Sequence, residues 1–148
     1  MHALLPLNPP MSPQAAREVR RNTLLRQGRT CYDHLAGVVG VQLLEALLQR
    51  GWLEESAEPR PRYRLTPSGR QALQGRGVTL PDVKKTRRQF AYGCLDWTER
   101  RPHLGGALGA AMLQVLSHAD YVRCDHTSRA VVLRQPITDW LDTAPPTT

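Results

Sequence analysis

Two cysteines and two histidines stand where they could share a metal ion. Cys31 and His34 are three positions apart, and Cys94 and His103 occupy a related stretch further on. Read on a helix, the first spacing puts Cys31 and His34 on one face. Two thiolates and two imidazoles suit zinc or another thiophilic metal in a tetrahedral arrangement. The plain alternative is a pair of buried free cysteines and two histidines bonded to backbone groups, with Asp33 and Asp96 paired to nearby arginines. Cys124 lies beside Asp125 and His126 in a polar stretch and has a redox role open to it if exposed. Three cysteines cannot all pair within one chain, so reduced thiols and a cytoplasmic location are expected.

The second chemistry on offer is contact with phosphate. Lys and Arg number 20 against 13 Asp and Glu, for a net charge of +7. Lys84 and Lys85 are the only lysines, so the excess is carried by arginine, whose planar fork matches phosphate and carboxylate. The candidates are Arg60, Arg62, Arg64 and Arg70 around one predicted hairpin, and Lys84, Lys85, Arg87 and Arg88 in a basic run. They would grip a backbone without reading bases. DNA is then the expected partner, with a homodimer or a protein partner as the alternative, and a merely solvated basic face the plain one. No nucleophile elbow, phosphate-cradling glycine loop or His-Glu-x-x-His pair is present, so catalysis is not expected.

Those residues need elements to hold them. A hydrophobic content of 41% and a charged content of 22% are those of a globular chain. No run reaches the roughly 18 apolar residues that span a bilayer, and residues 1–10 lack the charge and apolar core of a signal peptide. Residues 1–11 read as a flexible lead. Ser12-Pro13 resembles a helix start, and a helix is expected over 14–27. A second, apolar helix ends at Gly51. Strands follow at Trp52–Glu54 and Arg62–Leu65, and Thr66-Pro67 caps a short helix. Pro81–Thr98 reads as a helix with a basic first half. Leu104–Ala119 reads as another apolar helix, followed by strands at 121–123 and 130–133 and a last short helix at 136–141.

The chain also matches itself. At a constant offset, His34-Leu-Ala-Gly37-Val-Val-Gly40 lies over His103-Leu-Gly-Gly106-Ala-Leu-Gly109. The likeness continues through Leu44 and Leu113, and Trp52 and Tyr121, and after the loop, with the offset one residue shorter, through Tyr63 and Val131. At the offset that pairs the histidines, Cys31 falls on Arg100 and not on Cys94, so the repeat does not by itself produce a paired site. The expected fold is α+β, mainly helical, with two tandem winged-helix-like units joined by a central helix. The first unit spans 12–78, the linking helix and second unit span 79–141, and 142–148 form a flexible tail.

Three strings carry a family likeness: Arg29-Thr30-Cys31-Tyr32-Asp33-His34-Leu35-Ala36-Gly37, Tyr63-Arg64-Leu65-Thr66-Pro67-Ser68-Gly69, and Cys94-Leu95-Asp96-Trp97-Thr98-Glu99-Arg100-Arg101-Pro102-His103-Leu104. They resemble the C-terminal half of the longer ArsR-type winged-helix transcriptional regulators, over roughly positions 28–135. In that family a DNA-reading domain precedes these motifs, whereas here the stretch ahead of them is too short for one. The resemblance implies transcription regulation and a metal- or thiol-sensing effector half. Two readings stay open: a regulator module that contacts nucleic acid through the wing arginines and the basic helix, or an interaction and effector-sensing module that does not touch DNA. The outward residues of the apolar helices, Gln42, Glu45 and Gln49, then Gln114, Ser117 and His118, are a poor base-reading set.

Overall fold

The computed structural model describes residues 12–14, 23–57, 62–81, 89–96, 99–125 and 127–143. Residues 23–27 are helical and lead into a hairpin of β1 (Arg29–Cys31) and β2 (His34–Ala36). Helix α1 (Gly37–Gln49) follows directly, then a second hairpin of β3 (Leu53–Ala57) and β4 (Arg62–Leu65), then α2 (Pro67–Gly75). The same order recurs: β5 (Tyr92–Asp96) and β6 (Arg101–Gly105), α3 (Gly106–His118), β7 (Val122–Cys124) and β8 (Val131–Leu133), and α4 (Ile137–Asp142).

Local chemistry sets these boundaries. Both long helices open on a glycine with positive φ, Gly37 at 77° and Gly106 at 85°. The chain there turns from strand to helix with no connecting residue, a bend that a side chain resists. Thr66 caps α2, its Oγ1 accepting from the Gly69 amide at 3.0 Å, with Pro67 in the first turn. After α1 the left-handed position is filled by Gly51, and after α3 by Asp120 at φ 62°.

The two halves interlock. The hairpin β3–β4 extends into β5–β6 to make a four-stranded antiparallel sheet in the order β3-β4-β5-β6. The junction is the pair Arg62↔Tyr92, beside the bond from the Tyr63 amide to the Ala91 carbonyl at 3.1 Å. The hairpin β7–β8 approaches β1 in the matching way: Arg29 bridges Ala130, and the Val131 amide donates to the Gly28 carbonyl at 3.0 Å. Each half's second hairpin therefore flanks the other half's first. The helices cross over as well, α1 packing on β6 and α3 on β2. One core results, filled by Leu44, Leu47, Leu53, Leu73, Leu104, Leu108, Met112, Leu116 and Leu141. Arg76 ties the ends of α2 and α4, donating to the carbonyls of Trp140, Leu141 and Thr143 while lying over the Trp52 ring.

This architecture corrects the expected fold class. The chain is α+β, but it is not mainly helical, and it is not two winged-helix units joined by a central helix. Eight strands form among the described residues, four of them in segments read as helix or as its approach. Of the expected helix at 81–98, residues 92–96 are strand β5, and 82–88, 97 and 98 lie outside the described residues. Leu104 and Gly105 belong to β6 and not to the helix after it. No helix-turn-helix pair precedes either second hairpin among the described residues, because each long helix follows a hairpin directly. The residues of α1 that pack inward surround it almost completely, leaving Gln42 and Gln49 exposed, so it is a core helix. No described helix is long and apolar enough to cross a membrane.

Candidate metal centre

Cys31 and His34 are not on a helix face. They are cross-strand partners at the tip of the β1–β2 hairpin, separated by the turn Tyr32-Asp33, with Tyr32 at φ 60°. A first turn residue with positive φ fits the tight hairpin turn whose twist matches its strands. Cys94 and His103 are cross-strand partners too, in register across β5 and β6. Their hairpin has a longer tip. Two residues separate Cys31 from His34, and eight separate Cys94 from His103.

That extra length changes the alignment of the halves. The histidines stay matched, but at equivalent register positions Cys31 corresponds to Cys94, and not to Arg100. Asp33 and Asp96, each two residues past its cysteine, correspond likewise. Each first hairpin thus contributes one cross-strand Cys–His pair.

The interlocked helices press the two hairpins together. A Cβ on Gly40 of α1 would lie 3.3 Å from the His103 Cβ, and one on Gly109 of α3 would lie 3.1 Å from the His34 Cβ. These glycines thus let each half approach the other half's histidine. The two rings sit with centroids 5.1 Å apart. One ligand atom from each of Cys31, His34, Cys94 and His103 lies within 4.8 Å of all the others. Zinc bond lengths of about 2.0–2.3 Å imply ligand separations of roughly 3.3–3.8 Å in a tetrahedron, so side-chain adjustments of about 1 Å would close the set. Both histidines are fully buried and both cysteines partly so.

The groups around the cluster suit a metal. Asp96 has no exposed surface, and its Oδ2 lies 3.1 Å from Nδ1 of His103. Arg29, itself buried, donates to the Asp96 Oδ1 at 3.0 Å, so the buried carboxylate has a cationic partner. With Nδ1 as the donor to Asp96, Nε2 of His103 carries the free lone pair, and it is buried without a hydrogen-bond partner. A buried imidazole nitrogen of that kind is costly unless something accepts its lone pair. Burial, then the neighbouring His34, hold the His103 pKa down to about 4 against the pull of Asp96. The ring is therefore neutral at pH 7, as a metal ligand must be. On the other side, Asp33 lies 3.5 Å from Nδ1 of His34. A carboxylate behind each imidazole is the usual outer support of a histidine-bound metal.

Of the sequence-expected phosphate contacts, Arg60, Lys84, Lys85, Arg87 and Arg88 lie outside the described residues. Arg62, Arg64 and Arg70 are exposed. Arg62 and Arg64 share one face of β4, with Tyr63 buried on the other, and Arg64 pairs with Glu54 across the hairpin. Other arginines are engaged by acids: Arg26 by Glu99, Arg50 by Asp142, Arg101 by Glu45 and Arg134 by Asp120. Cys124 is half-buried on β7 and is not among the four clustered residues, and His126 lies outside the described residues.

The sequence gives Asp96 an arginine partner but does not reveal it as a support of the centre. The signal is present as Cys31-Tyr32-Asp33 and Cys94-Leu95-Asp96, but a constant offset hides the correspondence.

The chain is similar to a curated protein over most of its length. It is 33% identical over 132 residues to a relative in Bacillus subtilis (strain 168) named as an uncharacterized HTH-type transcriptional regulator, YdfF. The match takes in 89% of this chain and 57% of the relative, so the chain spans little more than half the relative's length. No family model matches the chain, and no solved structure matches it significantly.

Proposed function

We propose that the chain is the effector-sensing part of a transcriptional regulator, and that its sensor is one metal ion of the zinc class held by Cys31, His34, Cys94 and His103. One observation carries the reading: four ligand atoms, two from each half, lie within 4.8 Å of one another. The buried, unpartnered Nε2 of His103 supports it. Four protein ligands leave no open position for a substrate, which separates this site from hydrolytic zinc centres and favours a structural or sensing role. Binding would join the halves at the point where their hairpins meet. Residues 12–78 and 79–141 are read as two copies of one unit, each giving half the site. The regulator part of the reading rests on the relative's name and on the likeness to ArsR-type regulators.

The test is metal loading of the chelator-treated chain, counted against a competing indicator. One zinc per chain, lost in a Cys31→Ala, Cys94→Ala double variant, is expected. No zinc bound at stoichiometric concentration would end the proposal.

A second reading is favoured by the exposed Arg62 and Arg64 on one face of β4. With Arg70, they would contact phosphate of DNA without reading sequence. Binding to an arbitrary duplex should then weaken steeply with salt. Charge reversal at Arg62 and Arg64 should reduce both the affinity and the salt slope, and unchanged affinity would remove this reading.

A further inference from the structure

Asp96 reaches further than His103. Its carboxylate also accepts the amide of Gly37, the first residue of α1, at 2.5 Å, and the amide of Glu99 at 3.3 Å. Arg29, the first residue of β1, and Gly37, which directly follows β2, belong to the opposite half and stand at the base of the hairpin that carries Cys31 and His34. The contacts continue outward from there. Arg29 Nη1 donates to the Leu25 carbonyl at 3.2 Å, and Arg26 pairs with Glu99 at 3.0 Å. The helical residues 23–27, which lead into β1, are thus held at two points, and both holding residues bond to Asp96.

We propose that Asp96 is the positioning residue of the metal centre and the relay through which metal occupancy fixes the helical segment 23–27 against the core. The inference rests on the metal reading above and names what that site regulates. A metal on Nε2 polarises the His103 ring, so its Nδ1–H becomes a stronger donor to Asp96. The carboxylate is then held more firmly in the one orientation that also receives Arg29 and the Gly37 amide. Without the metal, His103 has no second anchor, and its ring and the carboxylate are freer to turn. Arg29 follows the carboxylate, and the Leu25 carbonyl follows Arg29. Coupling of this kind needs no large movement, only a difference in how tightly one segment is held in the two states.

The experiment is hydrogen exchange on the full chain, chelator-treated and then loaded with zinc chloride, with zinc stoichiometry measured on the same samples. Loading should slow exchange at least tenfold in peptides covering 23–30, including the helical residues 23–27 that lie outside the hairpins carrying the ligands. Asp96→Asn should lower zinc affinity 10–100-fold, alter the visible spectrum of the cobalt-substituted centre, and abolish the protection of 23–30 even at saturating zinc. Absence of zinc binding would overturn the metal reading and this inference with it. Zinc binding with unchanged exchange over 23–30 would overturn the relay alone and leave the metal reading standing. Equal affinity, spectrum and protection in Asp96→Asn would overturn the role of Asp96. Should that variant fail to fold, the exchange comparison on the unaltered chain still decides the relay.

Discussion

Gly109→Ala is a perturbation whose sign the structure decides. Inside a helix, exchanging glycine for alanine ordinarily stabilises by about 0.5–1 kcal/mol. Here the new Cβ would lie 2.6 Å from the Leu104 carbonyl oxygen and 3.1 Å from the His34 Cβ, where ordinary contact begins at 3.4 Å. The carbonyl is backbone of β6, paired with Gly93 of β5, so it cannot swing aside as a side chain would. The helix must lift off the strands or β2 must retreat, and forcing a methyl into a filled core costs about 1–3 kcal/mol. The net expectation is destabilisation by about 1–2 kcal/mol, which for a chain of this length lowers the melting temperature by roughly 2–8 °C. On the proposed metal reading, moving His34 would also spoil the four-ligand set, so zinc affinity should fall with stability. Gly40→Ala, whose Cβ would meet the Leu35 carbonyl at 2.5 Å and the His103 Cβ at 3.3 Å, should repeat both effects from the other side. The assay is thermal unfolding of the chelator-treated protein together with a zinc competition titration. A stabilised Gly109→Ala variant with unchanged zinc affinity would refute the close approach of the two halves.

Other expectations follow from the same contacts. Cys31→Ser and Cys94→Ser should weaken zinc binding to a similar degree, and by more than the roughly 10–100-fold typical of an outer-shell change; a loss confined to one would contradict their equivalence. In the metal-free protein, the His103 pKa lies below the unfolded value of 6.5, at about 4. The unfolded chain therefore takes up this proton first as the pH falls. Stability should be full above pH 6.5 and decline towards pH 4, by on the order of 3 kcal/mol from this group. Denaturant titrations across that range should show the slope, and His103→Gln should flatten it. Asp120 occupies the left-handed position that Gly51 fills after the first long helix. Asp120→Gly should accordingly raise stability by about 0.5–1 kcal/mol, read as a higher midpoint in denaturant, and a lower one would mean that the ion pair to Arg134 outweighs the backbone strain.

Much of the fold is legible in local sequence. The apolar runs before Gly51 and Asp120 are helices, Thr66-Pro67 starts a helix, and the strands at Arg62–Leu65 and around residues 122 and 131 form where alternation places them. Local features suffice there because caps and turns act within a few residues. The first hairpins of each half escape such a reading for a physical reason. Cys31-x-x-His34 brings its ends together equally well on a helix turn or across a two-residue hairpin, and periodicity over so short a run does not separate the two. Strand β5 exists because β6 and β4 pair with it, the latter from far upstream through Arg62 against Tyr92, and such pairing leaves little trace in the strand itself. The four metal-ligating candidates are nameable from residue type. Their assembly is not, because the longer tip between Asp96 and His103 breaks the constant spacing on which the self-match relies.

X-ray absorption on the zinc-loaded chain reads the ligand set of the bound ion itself. One zinc per chain is expected, with two sulfur neighbours near 2.3 Å and two nitrogen neighbours near 2.0–2.1 Å, about the values of a closed tetrahedral site. A shell made only of oxygen and nitrogen, or a zinc content near zero after exchange into chelator-free buffer, would contradict the four-ligand centre.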